Sequence, residues 1–175
     1  GDPVGVVNAY RLVKKHHDIR LVLAGPPPTP GGGDVLGEVQ EAASRDPDLS
    51  VIVLPPDPQA ELNALERAAA IVVHKPLETD FGVDVAAAMW KGKPVIGSAA
   101  GGIPFQIPQA VAGYVVETVE GAAFRIRHLL NNPELIGRMG AAGREHVRRG
   151  FLITRHLTDY LALMLHLSRR PQPRD

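Results

Sequence analysis

The sequence predicts an α/β fold, a three-layer α/β/α domain on a mostly parallel sheet of about five to six strands. Three observations carry that expectation. Short, predominantly apolar runs recur at 19–24, 51–54, 71–74, 94–97 and 114–116, as strands buried in a parallel sheet require. Between them lie stretches whose apolar residues recur at helical spacing. Glycine or proline punctuates most of the junctions.

Taken in order, apolar Val4, Val7, Leu12 and Val13, with Tyr10 between them, mark one helix face over about residues 3–16. The first strand, 19–24, ends at Gly25. The segment Pro26 to Gly33, PPPTPGGG, cannot hold regular structure and reads as a flexible surface loop. Asp34 then serves as N-cap for a helix to about residue 44, its carboxylate accepting from the free first-turn amides. The second strand, 51–54, is closed by Pro55-Pro56, and Asp57-Pro58 supplies a cap and a first-turn proline for a helix to about 69. The third and fourth strands, 71–74 and 94–97, flank a helix over 81–90, and 114–116 is a short fifth strand. Helices over 120–130, 133–148 and 154–167 complete the chain, with Asn132-Pro133 a second cap-and-proline start. Residues 1–167 are expected to form one domain, with 168–175 a frayed tail.

Open parallel sheets bind ligands outside the carboxyl ends of their strands. That rule places the candidate site in the loops after Ala24, Leu54, His74 and Gly97.

Composition narrows the function classes. With 175 residues the chain fits a single domain with a substantial core. Lys+Arg and Asp+Glu both total 19, so a net charge of zero argues against nucleic acid as a partner. There is no cysteine, which excludes disulfides and thiolate metal sites and agrees with a reducing, cytoplasmic setting. No apolar run approaches the roughly 20 residues of a membrane span, so no membrane partner is expected. A doubly wound domain usually opens on a strand, whereas this chain opens on Gly1-Asp2-Pro3 and a helix; it reads as a fragment of something longer.

Several short features admit both a chemical and a plain structural reading. Gly101-Gly102 either lets backbone approach a ligand or only makes a turn. Gly31-Gly32-Gly33 lacks the GxGxxG spacing and the following Lys-Ser/Thr of a phosphate loop. Thr79-Asp80-Phe81-Gly82 leads into a helix whose free amides could hold a diphosphate. The competing reading is that Thr79 or Asp80 caps that helix. Among seven histidines no HxH or HExxH spacing occurs, and only His74 falls at a strand's carboxyl end. Glu61, Glu66 and Arg67 read as a solvated helix face. Arg144, Arg148, Arg149 and Arg155 form at most a basic patch without interleaved aromatics.

Four longer segments carry a resemblance: GVVNAYRLVKK at the start, AMWKGKPVIG at 88–97, GGIPFQI at 101–107, and PELIGRMGAAGREHVRRGFLITRH at 133–156. Over about 5–163 the chain resembles the C-terminal half of retaining glycosyltransferases of the GT-B fold (family 4), and within them the trehalose glycosyltransferring synthases. The resemblance implies a Rossmann-like domain that binds a nucleotide-sugar such as UDP-glucose and faces a missing N-terminal acceptor domain. It implies transfer of glucose to glucose with retained configuration, giving trehalose, and neither metal nor cofactor.

By the same resemblance the nucleotide-sugar site comprises Gly25, Thr79, Asp80, Phe81, Gly82, Ala87, Gly101 and Gly102. The family carries two glutamates there, one at the donor sugar and one on the ribose hydroxyls. Thr79 and Ala87 occupy those positions, so no catalytic residue is assigned. Glu78 is one residue displaced from the first position, and Asp80 stands where the family has glycine. Losing the ribose hydrogen bond costs ~1–3 kcal/mol. The resemblance also implies a basic pair, Arg and Lys, in the segment before this chain, which neutralises the leaving diphosphate; lacking that pair and the acceptor half, the isolated chain is expected to be catalytically silent. The alternative is an interaction domain that kept the fold and lost the paired glutamates; a sugar-nucleotide epimerase has weaker motif support. An apolar face left by the missing half predicts self-association into a homo-oligomer.

Overall fold

The structure, a computed structural model, describes residues 1–27 and 34–168; most of the Pro26–Gly33 loop, its glycine triplet included, and the tail from 169 lie outside the described residues. Helix α1 (Pro3–Lys14) is capped by Asp2, whose Oδ1 accepts from the Gly5 amide at 2.9 Å, with Pro3 set for the first turn. β1 (Leu21–Gly25), α2 (Val35–Ser44) and β2 (Leu49–Val53) follow, and Asp34 caps α2 as its position predicts. Next come α3 (Gln59–Ala68), β3 (Val72–His74), α4 (Val83–Trp90), β4 (Val95–Ser98) and α5 (Ile103–Gln106). β5 (Gly113–Val116), α6 (Val119–Leu130), α7 (Pro133–Gly150) and α8 (Ile153–Ser168) complete the order. The expected α/β class with a parallel sheet is what the chain adopts.

All five strands pair in parallel, but in two pieces: β1 with β2, and β3–β4–β5 with β4 in the centre. In the three-stranded piece both faces are covered. Val73, Ile96 and Tyr114 pack with Ala9, Val13, Leu129 and Met139 from α1, α6 and α7. Their neighbours Val72, Val95 and Val115 point the other way, against Val85, Met89, Ile103 and Val147 from α4, α5 and α7. Burying each such aliphatic side chain contributes roughly 1.5–3 kcal/mol, so the two helix layers hold this piece firmly.

The two-stranded piece departs from expectation. Leu21, Leu23 and Leu49 pack on Val7, Tyr10 and Val39, yet Val22 and Ile52 on the opposite face are 45% and 39% exposed. Burial on both faces, expected of all the strands, therefore holds for β4 and is corrected for β1 and β2. The physical reason lies in α3, which follows β2 but buries none of its residues.

Several expected caps are also corrected. Asp57 does not cap α3: the N-cap is Pro58, with no side-chain hydrogen bond. Asn132 stands at the N-cap of α7, but its Nδ2 donates to the His128 carbonyl at 2.7 Å. Glu66 is not a solvated residue; it pairs with Lys91 at 2.6 Å, both side chains only 12% exposed, tying α3 to the end of α4. The four arginines are engaged rather than free for a polyanion. Arg148 and Arg149 pair with Glu145, Arg155 with Asp159, and Arg144 lies over the Trp90 ring. Among the described residues, no helix is long and apolar enough to cross a membrane.

Candidate functional site

At the carboxyl ends of β3 and β4 two loops are locked together. The first, after His74, runs through Leu77–Asp80 to the start of α4; the second is Ala99–Gly102. Gly102 N donates to the Asp80 carbonyl at 2.7 Å, and Ser98 Oγ donates to the Pro76 carbonyl at 2.7 Å. Gln106, fully buried on α5, sends its Nε2 to the carbonyls of Phe81 and Gly82. Gly101 has φ of 50°, and a Cβ there would meet the Thr79 carbonyl and lie 2.6 Å from that of Asp80. Glycine at 101 is thus a condition for the two loops to touch.

Gly82 is the N-cap of α4, in the left-handed region at φ 78°, and no side chain caps the helix. The reading in which Thr79 or Asp80 caps α4 is corrected here. The left-handed turn at Gly82 starts the helix at Val83; Val85 N already donates to the Gly82 carbonyl at 3.0 Å, and with no side-chain cap the amides of Val83 and Asp84 keep their donor capacity. Beside it opens a concavity of about 650 Å³ lined by Leu77, Glu78, Thr79, Asp80 and Gly101. That is room for a small molecule. Its lining holds two carboxyl side chains and no basic one. A diphosphate placed there would meet helix amides but no neutralising cation from these five residues.

His74 ends β3, with its Nδ1 3.9 Å from Asp84 Oδ2 on the first turn of α4. Burial pushes its pKa down, and the opposing pull of Asp84 does not offset this. The imidazole is accordingly neutral at pH 7. Next to it Lys75 pairs with Asp2 at 2.6 Å. Burial alone would raise the Asp2 carboxyl, but hydrogen bonds from Lys75 and the Gly5 amide, with the Lys75 charge, hold it below the usual carboxylate range.

Of the residues expected in the site, Thr79, Asp80, Phe81, Gly82, Gly101 and Gly102 converge on this loop pair. Ala87 lies further along α4, where its carbonyl accepts from Lys91. Gly25 closes β1 in the other piece of the sheet, its carbonyl accepting from Leu54 N at 2.8 Å. Among the described residues, no hydrogen bond joins Gly25 to the loop pair. Sequence reading missed Gln106, Ser98 and the turn α5. The sequence carries one signal for Gln106: an amide standing alone among apolar residues in GGIPFQI. Among the described residues no group of three or more His, Cys, Asp or Glu side chains gathers as a metal site.

Comparison with known proteins agrees with this architecture. The glycosyl transferases group 1 family matches residues 2–146. Trehalose synthase from Rubrobacter xylanophilus is 38% identical over 170 residues, 95% of this chain and 41% of that protein. Trehalose synthase from Pyrococcus horikoshii is 36% identical, over 93% of this chain and 40% of its own length. The chain thus spans about two fifths of the curated relatives it matches. Among solved structures, the C-terminal domain of a glycosyl transferase group 1 family protein (LpcC) from Francisella tularensis aligns with TM-score 0.75 at 23% identity, covering 85% of this chain and 78% of that one. Anabaena Alr3699/HepE in complex with UDP-glucose aligns with TM-score 0.75 at 18% identity, over 91% of this chain and 44% of its own. Family match, relatives and shared architecture agree: the chain belongs to the glycosyl transferases group 1 family.

Proposed function

We propose that residues 1–167 form the nucleotide-sugar-binding half of a retaining glycosyltransferase, with the tail from 168 outside it. The reaction is transfer of glucose from a nucleotide-glucose to glucose, giving trehalose in a cytoplasmic setting. The observation that carries this is the start of α4, left without a side-chain cap and held against Gly101-Gly102 at the strands' carboxyl ends. Free amides at a helix N-terminus, with the helix dipole, favour a diphosphate. Support comes from the trehalose synthase relatives and from HepE, whose structure holds UDP-glucose.

The isolated domain is silent in this reading. It pairs Thr79 and Ala87 with an acidic loop carrying Glu78 and Asp80, and it supplies neither carboxylate at the family's two positions nor cations for the leaving diphosphate. An acceptor domain would face it across the cleft, and exposed Leu77, Phe105 and Val83 are the apolar positions beside that cleft, also available to self-association. The substitutions favour a second reading, a non-catalytic interaction domain.

Titrating the Thr79→Glu/Ala87→Glu variant with UDP in a calorimeter tests the first. Restoring a ribose acceptor predicts about tenfold tighter binding, or 1.4 kcal/mol. An unchanged affinity in a folded variant sinks the donor-site reading, and no heat from either protein favours the interaction domain.

A further inference from the structure

The turn that opens α4 hinges on Gly82, and a glycine at φ 78° does not hold one conformation by itself. Its place is set by what grips Phe81, the residue before it. Gln106 Nε2 donates to the Phe81 carbonyl. Gly102 passes so close that a Cβ there would lie 3.1 Å from that carbonyl and 3.2 Å from Phe81 Cα. Both of these contacts hold main chain. The Phe81 side chain is 45% exposed, so the interior does not fix it. Its ring instead lies against that of Phe151, with centroids 5.8 Å apart and planes tilted by 50°, a normal distance for an aromatic pair.

Phe151 stands at the corner between α7 and α8, and α7 fixes it there. Phe151 N donates to the Val147 carbonyl at 2.9 Å, and Val147 is buried with Val85, Met89 and Ile103. Further back, α7 rides directly on α4 and the turn after it. A Cβ at Gly143 would lie 3.3 Å from Met89 Cγ, and one at Gly140 would collide with the Gly92 carbonyl. The corner is therefore as rigid as the close-packed core it belongs to. His146 packs its ring edge-on against Phe151, with centroids 5.2 Å apart and planes at 63°. Among the described residues, its buried Nε2 has no hydrogen-bond partner, so packing on Phe151 rather than hydrogen bonding through Nε2 holds this ring.

We infer that Phe151 is a positioning residue for the donor site: through Phe81 it fixes the turn at Gly82, and with it the direction in which the Val83 and Asp84 amides point. The inference rests on reading those amides as the diphosphate site, and it places one determinant of that site at the end of α7. The route is short. The Val83 N–H belongs to the peptide that follows Gly82, so its direction depends on where Phe81 holds the near side of the hinge and where α4 holds the far side. On the far side, Val85 and Met89 are buried and cannot shift. On the near side, Gln106 and Gly102 hold the backbone and the Phe151 ring holds the side chain. Without that ring Phe81 is left free to rotate, and the loop from Thr79 to Gly82 with it.

A double-mutant cycle in the full chain tests this, with UDP as the probe. Phe81→Leu, Phe151→Leu and the double variant are titrated in a calorimeter. Hydrogen exchange read by NMR follows the Gly102 amide, bonded to the Asp80 carbonyl, and the Val85 amide, bonded to the Gly82 carbonyl, with buried Ile96 reporting the global fold. The expected result is UDP affinity about tenfold weaker in Phe151→Leu, with less than about twofold further change where Phe81 is already leucine. Gly102 and Val85 should exchange about tenfold faster in Phe151→Leu, relative to Ile96. Leu129→Val, in the cluster on the other face of the sheet, should leave affinity within about twofold. Equal weakening by Phe151→Leu in both backgrounds overturns the inference, since the ring then does not act through Phe81. So does unchanged affinity in a folded Phe151→Leu, or an equal loss in Leu129→Val, which would make global stability the cause. A parent chain that takes up no UDP ends the donor-site reading alone. The exchange of Gly102 and Val85 then decides the positioning role, and no local speeding in Phe151→Leu overturns it.

Discussion

Replacing Gly101 by alanine probes the joint between the two loops of the site. Two costs add. Residue 101 sits at φ of 50°, and placing an alanine in the left-handed region costs ~1–2 kcal/mol. The new Cβ would also meet the Thr79 carbonyl and lie 2.6 Å from that of Asp80, both backbone atoms that cannot rotate away. Moving the first loop aside breaks the Gly102 N to Asp80 O bond, costing about 1 kcal/mol more. Together these give about 2–3 kcal/mol. At ~2–4 °C per kcal/mol for a domain of this size, Tm falls by about 4–12 °C. Gly137→Ala is the control. Nothing lies within 4 Å of a Cβ at that position in α7, so the same chemical change there raises stability by ~0.5–1 kcal/mol. Thermal unfolding followed by circular dichroism reads both. A loss below ~1 kcal/mol at Gly101, or equal changes at the two sites, would refute the claim that residue 101 is held against backbone.

Three further outcomes follow from the same geometry. Gln106→Leu strips the Phe81 and Gly82 carbonyls of a buried donor, so the denaturant midpoint should fall by the equivalent of ~1–3 kcal/mol; an unshifted midpoint contradicts the loop clamp. Lys91→Ala leaves the mostly buried Glu66 unpaired at a cost of ~1–3 kcal/mol, discounted for partial solvent access, and adding Glu66→Ala should recover part of it; a double variant no better than the single would show that the pair does not link α3 to α4. For pH, the folded chain holds the His74 pKa below 6.5, so between the two values the unfolded state binds the extra proton. Stability from this group is complete above pH 6.5 and is lost as pH falls through the lower folded value. Urea midpoints at pH 7 and pH 5 should therefore converge in His74→Gln relative to the parent chain, and an unchanged pH difference rules the group out.

The alternation of strands and helices was legible because each buried strand of β3–β4–β5 is nearly all apolar and each helix carries a 3.6-residue stripe. Boundaries at Gly25 and Pro55 followed from residues that end pairing or pre-set a turn, whereas Gly97 does not end its strand: it pairs with both His74 and Val115, and β4 runs on to Ser98. What stayed hidden depended on contacts distant in sequence. Asp80 looks like a helix cap until Gly82 turns left-handed and moves the helix start to Val83. Glu66 looks solvated until Lys91 reaches it across α3 and α4. A single turn such as α5 is too short to display a period, and its Gln106 clamp shows only when Phe81 and Gly82 are folded beside it. The break in the sheet was equally invisible, because β1 carries the same apolar run whether or not a neighbour pairs with its other edge.

The most direct test of the account is a calorimetric titration of the folded chain with UDP and then UDP-glucose. Helix amides at Val83 and the Gly101-Gly102 turn predict saturable heat with Kd about 1 mM or tighter, even without the two glutamates. A demonstrably folded sample that takes up neither ligand would contradict a donor site at these loops.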